Sequence, residues 1–163
     1  MGKKIIIGAS VLSVFLLVAL GAFFTVYHSA MAQKNDGHEE AIARALKETD
    51  LKNAESVETF NGLKQYYVIT GLNKSNEAVY VWVPEDSKEK PVLKLAADGI
   101  TEKKALEIVK AEQNPEKVIS VKLGMEKTIP LWEVKYIDDQ NRYTYDLINF
   151  SNGEIRKHIA IKK

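Results

Sequence analysis

Three histidines and two acidic pairs are the groups through which this chain could carry out acid–base or metal chemistry: His28, His38, His158, Glu39-Glu40 and Asp138-Asp139. A helical zinc hydrolase motif needs two histidines four residues apart with a glutamate between them, because that spacing puts both imidazoles on one helical face. His38-Glu39-Glu40-Ala41-Ile42 supplies the first histidine and the glutamate, but Ile42 stands where the second ligand should be. The acidic pairs are adjacent in sequence, so their carboxylates diverge instead of meeting at one substrate atom. A helix start and a hairpin turn account for them. The chain has no cysteine, which removes thiol nucleophiles, disulfides, thiolate metal sites and a lipoprotein anchor. It also lacks a nucleophile elbow, a P-loop and a dinucleotide fingerprint. The residues therefore predict a non-catalytic protein with no metal and no cofactor.

What remains is aromatic. Tyr66, Tyr67, Tyr80, Trp82, Trp132, Tyr136, Tyr143 and Tyr145 all fall in segments that read as strands. Large aromatics fill small cores, and Trp and Tyr also dominate recognition surfaces. Tyr80 and Trp82 are the preferred partner-contact candidates, with Tyr66 beside them. They share one face of a strand whose other face carries Val79, Val81 and Val83.

These aromatics belong to a pattern that occurs twice after residue 34, at an offset of about 64 residues. Each copy reads as a helix followed by strands. In the second copy Thr101 is a helix N-cap with Glu102 in the first turn, and Ala105, Leu106, Ile108 and Val109 form the apolar stripe. Asn114-Pro115 ends that helix. Strands are predicted over 117–123, 129–136, 143–150 and 154–161, with turns at 138–141 and 151–153. In the first copy the helix covers 39–48, with Ala41, Ile42, Ala45 and Leu46 as its apolar face. Strands are predicted over 56–60, 65–70 and 78–83, with a short one at 92–94. Tyr67 answers Trp132, Tyr80 answers Tyr145, and Val92-Leu93-Lys94 answers Ile155-Arg156-Lys157. Units of roughly 60 residues are marginal alone, so the two should pack together. The first sheet is apolar on both faces. Its own helix covers one, and the other needs cover from the second copy or from a partner.

Residues 5–26 are almost wholly apolar and uncharged. As a helix they would span roughly 33 Å, against a hydrocarbon core of about 30 Å. Lys3 and Lys4 precede the run and the next basic residue is Lys34, so the N-terminus is expected in the cytoplasm and the body outside, with residues 5–26 in the lipid bilayer. A cleaved signal peptide is the rival reading, since Ala30-Met31-Ala32 resembles a cleavage site. The apolar run is longer than such a peptide's core. With Lys3 and Lys4 set aside, 21 of the 23 basic residues face 22 acidic ones, well interspersed. That balance gives no basic stripe, and no nucleic-acid partner is expected. The expected organisation is α+β: residues 1–32 as cytoplasmic stub and transmembrane helix, then units over 33–95 and 96–163, each a helix packed on an antiparallel sheet.

Gly99-Ile100-Thr101-Glu102-Lys103-Lys104-Ala105, Leu131-Trp132-Glu133-Val134-Lys135-Tyr136 and Asn152-Gly153-Glu154-Ile155 resemble a PepSY-type unit. With Ser29-Ala30-Met31-Ala32-Gln33-Lys34, Gly37-His38-Glu39 and Tyr80-Val81-Trp82-Val83-Pro84, essentially the whole chain resembles the YpmB/TseB-like proteins of low-GC Gram-positive bacteria. Asn149-Phe150-Ser151-Asn152-Gly153 departs from the usual acidic residue and Thr-Gly of PepSY units at the turn. The resemblance implies two tandem cystatin-like units and regulation of cell-wall (peptidoglycan) elongation. The partner it implies is a penicillin-binding transpeptidase of the elongation machinery, and it brings no catalytic residues. Against this binding role stand two others: a PepSY-type peptidase inhibitor and a small-ligand sensor at the cell surface.

The anchor can be tested directly. Protease added outside intact protoplasts should degrade the body and leave a short membrane-held fragment. Recovery of a soluble mature chain beginning at Gln33 would overturn the reading.

Overall fold

The chain beyond residue 51 is rich in β-branched and aromatic residues, and the runs Val68-Ile69-Thr70 and Val79 to Val83 suit a pleated surface. The computed structural model accordingly shows two four-stranded antiparallel sheets, each in simple sequence order. The first contains β1 (Leu51–Asn61), β2 (Gln65–Asn73), β3 (Ala78–Pro84) and β4 (Val92–Leu95). The second contains β5 (Lys117–Glu126), β6 (Ile129–Ile137), β7 (Tyr143–Asn149) and β8 (Ile155–Ile161). The structure describes residues 37–162 together with Leu16, Val18 and Leu20, which are helical and exposed. Apart from those three residues, the expected membrane segment 5–26 lies outside the described residues. Among the described residues no helix is long and apolar enough to cross a membrane.

Each sheet carries a helix. The helix α1, described over residues 37–48, places Ala41 and Ala45 against Ile69, Val79, Val81 and Val83. Leu46, expected on this apolar face, is exposed. Consecutive residues on a helix point about 100° apart, so Ala45 inward turns Leu46 away. Arg44 pins the helix to the end of the sheet, donating to the carbonyls of Pro84 (2.8 Å) and Glu89 (2.9 Å). The second helix, α2 (Glu102–Gln113), starts as its sequence predicts: the Thr101 hydroxyl accepts from the Lys104 amide, and Asn114 closes the helix in the left-handed conformation. Its Ala105 and Val109 pack into a core with Trp132, Val134, Tyr136 and Ile148.

The repeat is visible in the strand register. An offset of 65 residues carries every pair between β2 and β3 onto a pair between β6 and β7, for example Tyr66↔Pro84 onto Leu131↔Asn149. Tyr67 thus falls on Trp132, and Tyr80 on Tyr145. The short strand is corrected by two residues: Val92 and Lys94 fall on Lys157 and Ile159, because the offset of 65 residues continues unchanged into the last strand pair of each sheet. The hairpin turns repeat as well. Asn73 accepts the amides of Ser75 and Glu77 through its side chain, and Asp138 does the same for Gln140 and Arg142. Asn76 and Asn141 take the left-handed conformation at matching positions, a geometry that asparagine tolerates.

The two repeats are joined through aromatic rings. Tyr66, Val68, Tyr80 and Trp82 of the first sheet share one core with Leu123, Met125, Trp132, Phe150 and α2. Phe150 meets Tyr80 and Trp82 edge-on, with centroids 5.9 and 5.8 Å apart, the arrangement the ring quadrupole favours. Glycine makes the closest approach possible. A Cβ on Gly124 would stand 2.5 Å from the Phe60 ring, so that ring lies directly on the backbone of β5. The Tyr66 hydroxyl completes the joint by donating to the Lys127 carbonyl at 3.0 Å.

Trp82 is wholly buried, so Trp82→Ala should cost about 3–5 kcal/mol of stability, with urea unfolding of the body remaining a single transition. A loss well under 1 kcal/mol would mean that the ring does not hold the two repeats together.

Candidate functional site

Of the groups singled out for chemistry, Asp138 and His158 are occupied in holding the fold, Glu39 and Glu40 are exposed on α1, and His28 lies outside the described residues. Asp138 ends β6. Besides the two turn amides, its carboxylate receives the Arg142 guanidinium at 2.7 Å and the Thr144 hydroxyl at 3.2 Å. Burial alone would push this carboxyl up. The amide and guanidinium of Arg142, with Thr144, outweigh it and hold the pKa below the usual carboxylate range. His158, on β8, places Nδ1 2.7 Å from Asp146 Oδ1, and the Tyr136 hydroxyl donates to the other carboxylate oxygen at 2.9 Å. Asp146 and Tyr136 are wholly enclosed, so the carboxylate meets these two partners and no solute. Burial, then Asp146, drives the Tyr136 phenol far above its ordinary pKa. Among the described residues no group of acidic residues and histidines is arranged to hold a metal ion.

Sequence reasoning did not single out Asp146 as a site residue. The available signal was an acidic residue at an inward position between Thr144 and Ile148. In the first repeat that position is Val81, so a buried Tyr136–Asp146 hydrogen bond, met from the surface by His158, replaces plain apolar packing in the other copy.

The three residues expected to meet a partner are placed otherwise. Trp82 is 0% exposed and Tyr66 3%, while Tyr80 is half-buried. Their shared face is closed over by the second repeat, which corrects the expectation of an exposed recognition surface there. The physical reason is that three large aromatics and Val68 would otherwise face water, and the nearest apolar cover is the rest of the same chain. Burial pushes both the Tyr66 and Tyr80 phenols up, with Glu89 adding to the first and Glu102 to the second.

The described residues leave several concave regions open. A cleft of about 310 Å³ runs between the repeats, and its lining includes Ser56, Glu58, Thr70, Tyr80, Glu102 and Lys122. A second, of about 270 Å³, lies on the outer face of the second sheet and is mostly apolar. Leu131, Glu133, Tyr145, Leu147, Ile159 and Ile161 form much of it, with Phe60 and Leu63 at one end. Glu133 is half-buried there. Burial pushes its carboxyl up, against Lys122 and Lys135, which draw it down. The Lys135 ammonium lies over the Tyr143 and Tyr145 rings, 5.3 and 5.1 Å from their centroids.

Comparison with known proteins gives consistent results. Residues 40–84 match the family described as a cell wall elongation regulator TseB-like domain. Residues 99–159 match the peptidase propeptide and YPEB domain, PepSY. A probable cell wall elongation regulator TseB of Bacillus subtilis (strain 168) is 43% identical over 160 residues, covering 98% of this chain and 99% of that protein. The solved structure of the YpmB protein from Bacillus subtilis superposes with a TM-score of 0.74 at 45% identity, covering 76% of this chain and 97% of that one.

Asp138 has a lower pKa in the folded protein than its ordinary 3.8. Its contribution to stability is therefore fully present above the ordinary carboxylate range and is lost as pH falls through the lowered value. Asp138→Asn should lower the urea midpoint at pH 7, and the gap from the native protein should close on acidification. An equal gap at pH 7 and pH 2 would show that the Arg142 pairing contributes nothing.

Proposed function

The chain belongs to the TseB-like family of cell wall elongation regulators, and from that premise we propose that it is a membrane-anchored, extracytoplasmic binding protein that modulates peptidoglycan elongation by contacting a penicillin-binding transpeptidase. The observation that carries this reading is the likeness to a cell wall elongation regulator along nearly its whole length, through both repeats. Two features of the chain support it. The apolar, uncharged run at residues 5–26 suits a single membrane pass with the body outside. Asp138 is committed to a turn and Asp146 to a bond with His158, while an apolar groove is left on the surface of the body. A protein of this kind works without catalysis. Confinement to the membrane raises its effective concentration beside another membrane protein, and the contact itself supplies specificity.

A second reading, a small-ligand sensor, draws on the cleft between the repeats, where the Tyr80 ring and the carboxylates of Glu58 and Glu102 line a polar space. Its volume of about 310 Å³ is at the lower end of ligand cavities, which run from about 300 to 1,000 Å³.

The test uses a rod-shaped Gram-positive bacterium lacking its own relative of this protein. The full chain should restore cell width and should crosslink to an elongation transpeptidase. A secreted body, with residues 1–32 exchanged for a cleavable signal peptide, should restore width poorly. Full rescue by the secreted body, or rescue without any transpeptidase adduct, would overturn the proposal. Loss of rescue on Glu58→Gln with adducts intact would favour the sensor.

A further inference from the structure

The joint between the repeats is apolar at one end and polar at the other. On the inner face of the first sheet Tyr66, Val68 and Trp82 are buried against the second repeat. Further along that face comes the cross-strand row Ser56, Thr70 and Tyr80, with Glu58 paired to Val68 beside it. There the cleft of about 310 Å³ opens. Tyr80 and the buried Trp132 stand in its wall, edge-on to one another with centroids 6.2 Å apart. The Trp132 ring is fixed by its N–H, which donates to the Ile100 carbonyl at 2.9 Å. Glu102, the first residue of α2, brings a second carboxylate from the second repeat.

The polar side chains of this cleft are uncommitted. Asn73, Asp138 and Asp146 bond within the protein. Ser56, Glu58, Thr70, Glu102 and the Tyr80 hydroxyl make no side-chain hydrogen bond or ion pair with a described residue. Burial, then the Glu102 carboxylate, pushes the Tyr80 phenol up, so it stays a neutral donor. Among the described lining residues the cation is Lys122, and it is turned away. It stands opposite Glu133 in the strand register and acts on that carboxylate, while Val121 and Leu123 on either side pack against the core. Lys94, beside Tyr80 on β4, does not line the cleft.

Two carboxylates are too few for a calcium or magnesium ion, which fills its shell with about six or more oxygens. A neutral polyol would displace water from both and leave their charge uncompensated. An ammonium compensates that charge, gains charge-assisted hydrogen bonds and is drawn to an aromatic ring as well. Hydroxyl groups on the same molecule would meet the hydroxyls of Ser56, Thr70 and Tyr80, each able to donate and accept. Resting on the sensor reading above, we propose that the cleft binds a small organic cation carrying an ammonium beside hydroxyl groups, as an amino sugar does. The ammonium lies toward Glu58 and Glu102, and the hydroxyls toward Ser56, Thr70 and Tyr80.

The test material is the purified full-length chain in detergent micelles, its two tryptophans replaced by 5-fluorotryptophan. Trp132 lines the cleft and Trp82 is buried in the joint outside that lining, so the two fluorine signals report the site and the joint separately. In mildly acidic buffer, where its amine is charged, glucosamine should shift the Trp132 signal saturably and more than the Trp82 signal. Glucose and N-acetylglucosamine, which lack the charge, should bind about tenfold more weakly or worse. Glucosamine should lose as much on Glu58→Gln or Glu102→Gln, the scale of a lost charge-assisted hydrogen bond. Both glutamates are exposed, so these variants should keep native thermal unfolding. Glu112→Gln, in the exposed last turn of α2, should bind as the native chain does. Equal binding of glucose and glucosamine, or unchanged affinity in both folded variants, would overturn the proposal. So would a response to calcium or to a lysine-bearing peptide without one to glucosamine. Rescue of cell width by Glu58→Gln is scored separately. Full rescue by a variant that has lost glucosamine leaves the site standing and removes the sensor role. Loss of rescue, where the native chain never bound glucosamine, keeps the sensor reading and removes this ligand class.

Discussion

The rest of the body depends on covering the second apolar face of the first sheet. A four-stranded sheet has two faces, and a single helix covers one. Ala41 and Ala45 of α1 take the valine face of β3, which leaves Tyr66, Val68, Tyr80 and Trp82 on the other. Burying such side chains releases roughly 1.5–3 kcal/mol each, and among the described residues the second repeat supplies that cover. The second repeat therefore has to be where it is. Phe150 supplies the ring, Gly124 clears the space for Phe60, and Tyr66 anchors to the hairpin at Lys127.

That solution is not symmetric. One repeat cannot cover the other and be covered in the same way unless the two surfaces are self-complementary, and here they are not. At the corresponding positions Tyr66, Trp82 and Val68 become Leu131, Leu147 and Glu133, and the buried Val81 becomes Asp146. The second repeat has exchanged part of its apolar interior for a hydrogen-bonded array of Tyr136, Asp146 and His158. It retains an apolar outer face with a carboxylate set into it. Duplication supplied two copies of one architecture, and the joint buries Leu131 and Leu147 of the second copy in the same core as Tyr66 and Trp82 of the first.

Much of this was legible in the sequence. The repeat, the helix start at Thr101, the turn at Asp138 and most strand positions follow from local chemistry: capping hydroxyls, side chains that bond their own turn amides, and alternation with a period of two. The demand that the first sheet be covered on both faces was also readable, because Tyr80-Val81-Trp82-Val83 is apolar at every position. The bulged start of β1 at Leu51 was not, since its pairing with Asn73 depends on register shifts near Asn53 and Ala54 that no local signal announces.

By itself the sequence determined that two sheet-and-helix repeats exist, that they must pack, and that no assembled catalytic motif accompanies them. The tertiary structure decided what would cover each apolar face. Tyr80 and Trp82 on one strand, and Tyr145 and Leu147 on another, present the same alternating pattern to a reader of the sequence. Alternation assigns a side chain to a face but does not say what lies above that face. That depends on contacts between residues far apart in the chain, such as Trp82 with Phe150 and Phe60 with Gly124.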